Sequence, residues 1–236
     1  MRSVLRRAGQ VSALAILALS CTTGPALAAP GDDRVLPIDQ YKSEKARRLG
    51  TTHDGALREL ASGVYHCLPW LEVQKQSVGF FKPKHLTQDD RYVSIRFYVE
   101  QDPSPEFAAF TMEQRAASMF SRYVGPMLKR MSRNSALVND PSMDGFTVIV
   151  EWLKPSSDRS SGRPVHETIA VFVDKATATA FLRGTIQTRD LSARAHVLGF
   201  DGETGLGQLK LAAWDDTFMS TYKVQNYEVA PGVNCQ

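Results

Sequence analysis

Apolar residues recur with helical spacing over residues 52–68. Positions three, four and seven residues apart are the buried stripe of an amphipathic helix, and Pro69 ends the pattern. The stripe consists of Leu57, Leu60, Ala61, Val64, Tyr65 and Leu68. A shorter helix is expected over residues 39–49, interrupted at Gly50.

Strict alternation follows over residues 91–100. Val93, Ile95, Phe97 and Val99 lie on one side of the extended chain. The other side carries Tyr92, Ser94, Arg96 and Tyr98. This period of two predicts a β-strand with one buried face.

A long helix is predicted next, over residues 104–133. Ser104 is a suitable N-cap with Pro105 in the first turn, and a kink is expected at Gly125-Pro126. Its apolar stripe is Met112, Ala116, Met119, Phe120, Tyr123, Met127 and Met131. Such a stripe is typical of a helix packed against a core.

The remainder of the chain is rich in predicted strands. Residues 146–153 and 165–173 flank a polar segment and predict a hairpin with a long loop. A short helix over residues 175–183 is expected between Asp174 and Gly184. Strands are predicted over residues 194–200, 208–214 and 222–229. The element order predicts a single α+β domain over residues 39–236, mainly an antiparallel sheet with helices packed on one face.

The N-terminus carries an export signal. Arg2, Arg6 and Arg7 precede a short apolar run, and residues 1–28 hold no acidic residue. Cleavage before Ala29 follows a small-x-small pattern, whereas the run ending at Cys21 resembles a lipobox whose cysteine is acylated. Residues 29–38 are expected to be a flexible tail. Cleavage before Ala29 predicts a periplasmic or secreted protein, and acylation of Cys21 predicts a lipid-anchored outer-membrane lipoprotein. In neither case is a transmembrane segment expected in the mature chain.

The charge balance disfavours nucleic-acid binding. The chain is formally +3, with 28 Lys and Arg against 25 Asp and Glu. Loss of the three N-terminal arginines leaves these charges in balance. A nucleic-acid partner needs a basic face to neutralise phosphates, so none is expected.

The chain contains Cys21, Cys67 and Cys235. Cys21 is either removed or acylated, which leaves two thiols in an oxidising compartment, and we predict a disulfide between them. Cys67 follows His66, but adjacent helical residues diverge by about 100° and do not form a nucleophile–base pair.

No recognised catalytic, cofactor or metal-binding motif is present in the sequence. The histidines lack the spacing of metal ligands, and neither a cofactor nor a metal is expected. One basic pattern is suggestive, because four cations recur along the predicted long helix and form a line that can contact an anionic surface. They are Arg115, Arg122, Lys129 and Arg133. The competing interpretation is a solvated helix face.

These observations predict an exported, non-catalytic protein that binds another envelope component, whether protein, lipid or polysaccharide. The alternative is a periplasmic hydrolase that uses His166 with Glu167, or His196 near Asp201.

Overall fold

The computed structural model describes residues 32–99, 105–155, 164–212 and 235. The helices are α1 (Glu44–Thr52), α2 (Asp54–Cys67), α3 (Pro105–Ala108), α4 (Met112–Met119), α5 (Gly125–Met131), α6 (Ser135–Asn139), α7 (Lys175–Leu182) and α8 (Thr188–Arg194). The strands are β1 (Leu71–Val73), β2 (Gly79–Phe81), β3 (Tyr92–Val99), β4 (Gly145–Leu153), β5 (His166–Asp174), β6 (His196–Asp201) and β7 (Thr204–Gln208).

All seven strands belong to one mostly antiparallel sheet. The strand order is β1-β3-β4-β5-β6-β7. Strand β2 pairs with the first half of β3, on the same edge where β1 pairs with its second half. The pairing of β3 with β4 is parallel, because the chain between them crosses over through helices α3 to α6. The predicted α+β class and the hairpin of β4 with β5 are therefore confirmed.

The hydrophobic core lies between the helices and one face of the sheet. Tyr92 and Ser94 on the other face of β3 are also buried, but the face predicted to be buried is confirmed, since Val93, Ile95 and Phe97 are fully buried. Each of these residues is in register with a buried β4 residue, which in turn pairs with one in β5. The apolar stripe predicted for residues 104–133 also packs in this core, with Met112 only partly buried.

The predicted long helix is divided into several pieces. Thr111 begins α4 with a capping box, in which its hydroxyl accepts from Gln114 N and its own N–H donates to Gln114 Oε1. This reciprocal cap starts a new helix where the sequence predicted a continuous one. A π-helical turn, Phe120–Val124, precedes the expected kink at Pro126. A wider turn before a proline makes room for its ring and for the carbonyl group that receives no hydrogen bond from it.

Part of the expected N-terminal tail is instead packed. Val35 is 4% exposed and forms a parallel bridge with Val78, and Leu36 N donates to Val78 O over 2.8 Å. Burial of Val35 and backbone hydrogen bonds to residues 76–78 together join this segment to the core. Residues 29–31 and the signal segment with Cys21 lie outside the described residues.

The C-terminal predictions are tested only in part. Asp174 caps α7 by accepting from Thr177 N, and the αL residue Gly184 follows, as predicted. The strand expected over residues 208–214 is wrong over residues 209–212, because β7 is Thr204–Gln208, and a turn at Gly202 (φ +59°) folds it back onto β6. Residues 213 and 214 lie outside the described residues. The strand predicted over residues 222–229 lies outside the described residues.

Among the described residues, no helix has the length and apolar character needed to cross a bilayer.

Candidate ligand-binding cleft

The sheet face opposite the helices carries a second apolar surface. On this open face a central row of paired residues crosses strands β3 to β6, from Arg96 through Ile149 and Ala170 to Leu198. Neighbouring rows contribute Ser94, Thr147, Thr168, Phe172 and Phe200. These residues alternate with core residues along each strand, so their side chains project away from the helices. Their larger apolar members do not belong to the helix-covered core.

A cleft of about 630 Å³ lies over this surface. Ala170 is the smallest side chain of the central row and leaves space between Ile149 and Leu198. One wall is formed by residues 74–77, which connect β1 to β2, and by residues 81–84 at the end of β2. The volume is within the range of about 300–1,000 Å³ that is typical of small-molecule sites.

The cleft lining is cationic. Lys75, Lys82, Lys84 and Arg96 line it, and no carboxylate is among the described residues that do so. Arg96 Nε lies 3.0 Å from Glu151 Oε2, and Lys75 Nζ lies 3.3 Å from an Asp33 oxygen. Lys82 Nζ instead donates to the carbonyl oxygen of Thr87 over 2.7 Å. Two exposed lysines, Lys82 and Lys84, therefore add positive charge at the rim without a described ion-pair partner.

Two histidines attach this wall to the sheet. The rings of His85 and His196 stack with centroids 3.9 Å apart, and the edge of His85 also meets Phe172 at 4.9 Å. Burial lowers the pKa of His85, and repulsion from His196 lowers it further. The stack therefore favours a neutral His85, which avoids placing two imidazolium charges against each other.

The cysteines meet at the end of α2, among residues of the helices. Cys67 and Cys235 form a disulfide with Cα atoms 5.3 Å apart, although 168 positions separate them in sequence. Cys67 ends α2 and borders a smaller notch of about 240 Å³, together with His66, Arg130 and Arg133. The disulfide leaves Cys67 without a free thiol, and the structure thus supports a bracing role for this pair.

The predicted basic line does not form a common surface. Arg115 is 2% exposed and is bound inside the protein, so it cannot contact an anionic surface. The Arg122 guanidinium lies over the Phe107 ring, 5.4 Å from its centroid. Lys129 and Arg133 are exposed. The π-helical turn between Arg115 and Lys129 also breaks the regular spacing on which the prediction depended.

In both residue pairs predicted for a hydrolase, His166 with Glu167 and His196 with Asp201, the two side chains lie on opposite faces of the sheet. Glu167 is buried on the helix-covered face and accepts hydrogen bonds from Arg115, whereas His166 lies on the open face of the same strand. His196 and Asp201 are five positions apart on β6, a distance of about 16 Å, and face opposite sides. Asp201 instead binds Lys154 Nζ at 2.7 Å.

The sequence pattern did not predict the cleft, because the alternation in β3 indicated that the second face of the sheet is solvated. The available signal was the presence of large apolar side chains at both odd and even positions of β4 to β6. Ile149, Phe172 and Leu198 are examples on the open face. Strands that are apolar on both sides indicate that both faces are covered by protein or by a ligand.

Among the described residues, no group of three or more His, Cys, Asp or Glu side chains is arranged to hold a metal ion. Comparisons of the chain with protein families, with curated proteins and with solved structures found no match.

Proposed function

We propose that this chain is an exported, non-catalytic envelope protein that binds another envelope component in the open-face cleft. The observation that carries the proposal is the cleft itself, about 630 Å³ over an apolar floor that lies outside the helix-covered core. A concave site with an apolar floor and few polar groups is the usual form of a small-molecule site. The export signal of the sequence supports the compartment.

The carboxylates near the cleft support binding over catalysis. Glu151, on the open face, is engaged by Arg96, and Asp201, which lies at the end of β6 and faces the other side of the sheet, is engaged by Lys154, both in hydrogen-bonded ion pairs. His166 Nδ1 approaches Glu151 only to 3.9 Å, beyond hydrogen-bond distance. A general acid–base mechanism needs its groups within hydrogen-bond reach of each other and of the substrate. No described pair of this kind faces the cleft.

The test uses N-phenyl-1-naphthylamine, an uncharged dye that fluoresces in apolar surroundings. We expect saturable binding at one site per chain. Ala170→Trp places an indole in the centre of the floor and is expected to weaken dye binding at least tenfold.

The matched control is Ala176→Trp, at an exposed position of α7 away from the cleft. It should bind the dye like the wild type. If Ala170→Trp does not fold, Leu198→Asn replaces it, since this change makes the floor polar without touching the core. Absence of saturable binding, or equal binding by folded cleft variants and the wild type, would contradict the proposal.

A further inference from the structure

We infer that the open-face cleft selects a single-chain anionic amphiphile, a molecule with one alkyl chain and a carboxylate or phosphate head group. This inference rests on the proposed function and names the chemical class of its ligand. It follows from two properties of the same site, an apolar floor and a rim with lysines that no described carboxylate neutralises.

The floor determines the apolar portion of the ligand. The row from Arg96 to Leu198 crosses four strands and spans about 14 Å, and its apolar part from Ile149 to Leu198 spans about 10 Å, which accommodates most of an extended alkyl chain of medium size. Ile149, Ala170 and Leu198 give this row an apolar middle and end. Ser94, Thr147 and Thr168 adjoin it and, like Ala170, are more than nine-tenths buried. The partly exposed residues of the floor include Ile149, Leu198 and the two phenylalanines of the neighbouring rows. An apolar row flanked by the hydroxyls of Thr147 and Thr168 suits one alkyl chain better than a pair of chains.

The rim determines the head group. Lys82 and Lys84 stand together at one wall, and both are exposed. Arg96 adds a guanidinium at the β3 end of the row, where Glu151 already balances its charge. The lysines therefore supply the uncompensated positive charge, and an anionic head group is the complementary partner.

The stacked histidines fix this geometry. His85 follows Lys84 directly and stacks on His196, a residue of the sheet itself. Because the ring contact attaches the wall to the open face, the backbone that carries the lysines is held at the edge of the apolar floor, while their side chains are exposed. A backbone segment that is already in place loses less conformational entropy when the ligand binds.

The experiment measures displacement of the dye by dodecanoate, dodecyl phosphate, 1-dodecanol and dodecyltrimethylammonium below their micelle concentrations. The four compounds share one chain and differ in head-group charge. We expect both anions to bind at least fivefold more tightly than the alcohol, and the cation to bind most weakly. Higher ionic strength should reduce the preference for the anions, because the lysines are exposed.

The variant K82Q/K84Q should weaken binding of both anions about five- to tenfold relative to 1-dodecanol measured on the same variant. The matched control K129Q/R133Q removes two charges from exposed positions on the helical side and should change neither affinity. An equal affinity for alcohol and anions, or no effect of K82Q/K84Q, would overturn the head-group assignment while the dye result still supports the cleft. Loss of anion binding in K129Q/R133Q would also overturn it and would place the anion on the helical side.

Discussion

Arg115 and Glu167 form a two-pronged ion pair inside the protein, 52 positions apart in sequence. Arg115 Nε lies 2.8 Å from Glu167 Oε2, and Nη2 lies 2.6 Å from Oε1. Trp152, the cross-strand partner of Glu167, donates its Nε1 hydrogen to Oε2 over 2.7 Å, and Arg115 also donates to Phe110 O. Both oxygens of the Glu167 carboxylate thus accept hydrogen bonds, which a buried charge requires.

We predict that Glu167→Gln lowers the free energy of unfolding by about 3–5 kcal/mol, because it leaves the Arg115 charge buried without its counter-ion. The apolar triple variant R115M/E167L/W152F removes both charges and the indole donor together, and should recover most of this loss. Chemical denaturation followed by circular dichroism measures both values.

The control for this prediction is R96Q/E151Q, which removes an ion pair whose arginine side chain is 46% exposed. It should cost less than about 1 kcal/mol. A similar cost for the buried and the exposed pair would contradict the role assigned to Arg115 and Glu167.

The disulfide should contribute strongly to stability. We predict that Cys235→Ser lowers the free energy of unfolding by about 2–4 kcal/mol, with about 5 kcal/mol as the upper value for a loop of 168 residues. The physical reason is that the bond restricts the unfolded chain. Non-reducing peptide mapping of freshly exported protein should recover the two cysteines in one cross-linked fragment. Alkylation of both thiols without reductant would end this interpretation.

The contact between Asp140 and His53 predicts that the stability of the fold depends on pH. Burial raises the pKa of Asp140, but the hydrogen bonds from His53 and Ser142 outweigh it and leave that pKa below its usual value of 3.8. A carboxylate with a lowered pKa stabilises the fold above its unfolded pKa, and this contribution is lost as the pH falls through the folded pKa.

Asp140→Asn should therefore destabilise the protein at pH 7, by about 1 kcal/mol because the carboxylate is partly exposed. The difference from the wild type should shrink as the pH falls below 3.8. The control is Asp39→Asn at an exposed position, which should have little effect at either pH. If the loss of stability in Asp140→Asn is the same at every pH, then His53 and Ser142 do not stabilise the charge of the carboxylate.

The stacked histidines allow a direct titration test. We predict that His85 titrates below its usual pKa of 6.5 in the NMR spectrum of its ring. His196→Phe keeps an aromatic neighbour but removes its charge, so the pKa of His85 should rise part of the way toward 6.5. Recovery is only partial because burial is the larger cause. An unchanged midpoint in this variant would show that the two imidazoles do not interact electrostatically.

Maturation can be decided by the intact mass of protein from a bacterial host. We expect a chain that begins at Ala29, because a small-x-small site precedes this residue. The alternative is a chain that begins at Cys21 and carries acyl mass. Detection of that lipidated species would place the protein on a membrane surface, and Cys21→Ser is the variant that should then abolish the added mass.

Local pattern was sufficient for elements whose partners lie nearby in sequence. The alternation of Val93, Ile95 and Phe97 predicts β3 because the pleat places every second side chain on one face. Asp174 predicts the start of α7 because a capping bond reaches only three residues along the chain. The disulfide is an exception to this locality, because setting Cys21 aside leaves a single possible pair, the one that the structure bonds across 168 positions.

Tertiary structure decided which polar residues are buried and which apolar residues are exposed. Arg115 looks like a solvated helix residue until β5 brings Glu167 against it, a contact that no local spacing encodes. The cleft likewise depends on the register of four strands and on the wall that His85 attaches to His196. A single strand shows that Ala170 and Leu198 are apolar, but only the assembled sheet places them side by side, with the described helices packed on the opposite face. The physical reason is that local periodicity fixes the direction of a side chain, whereas burial depends on the distant elements that pack against it.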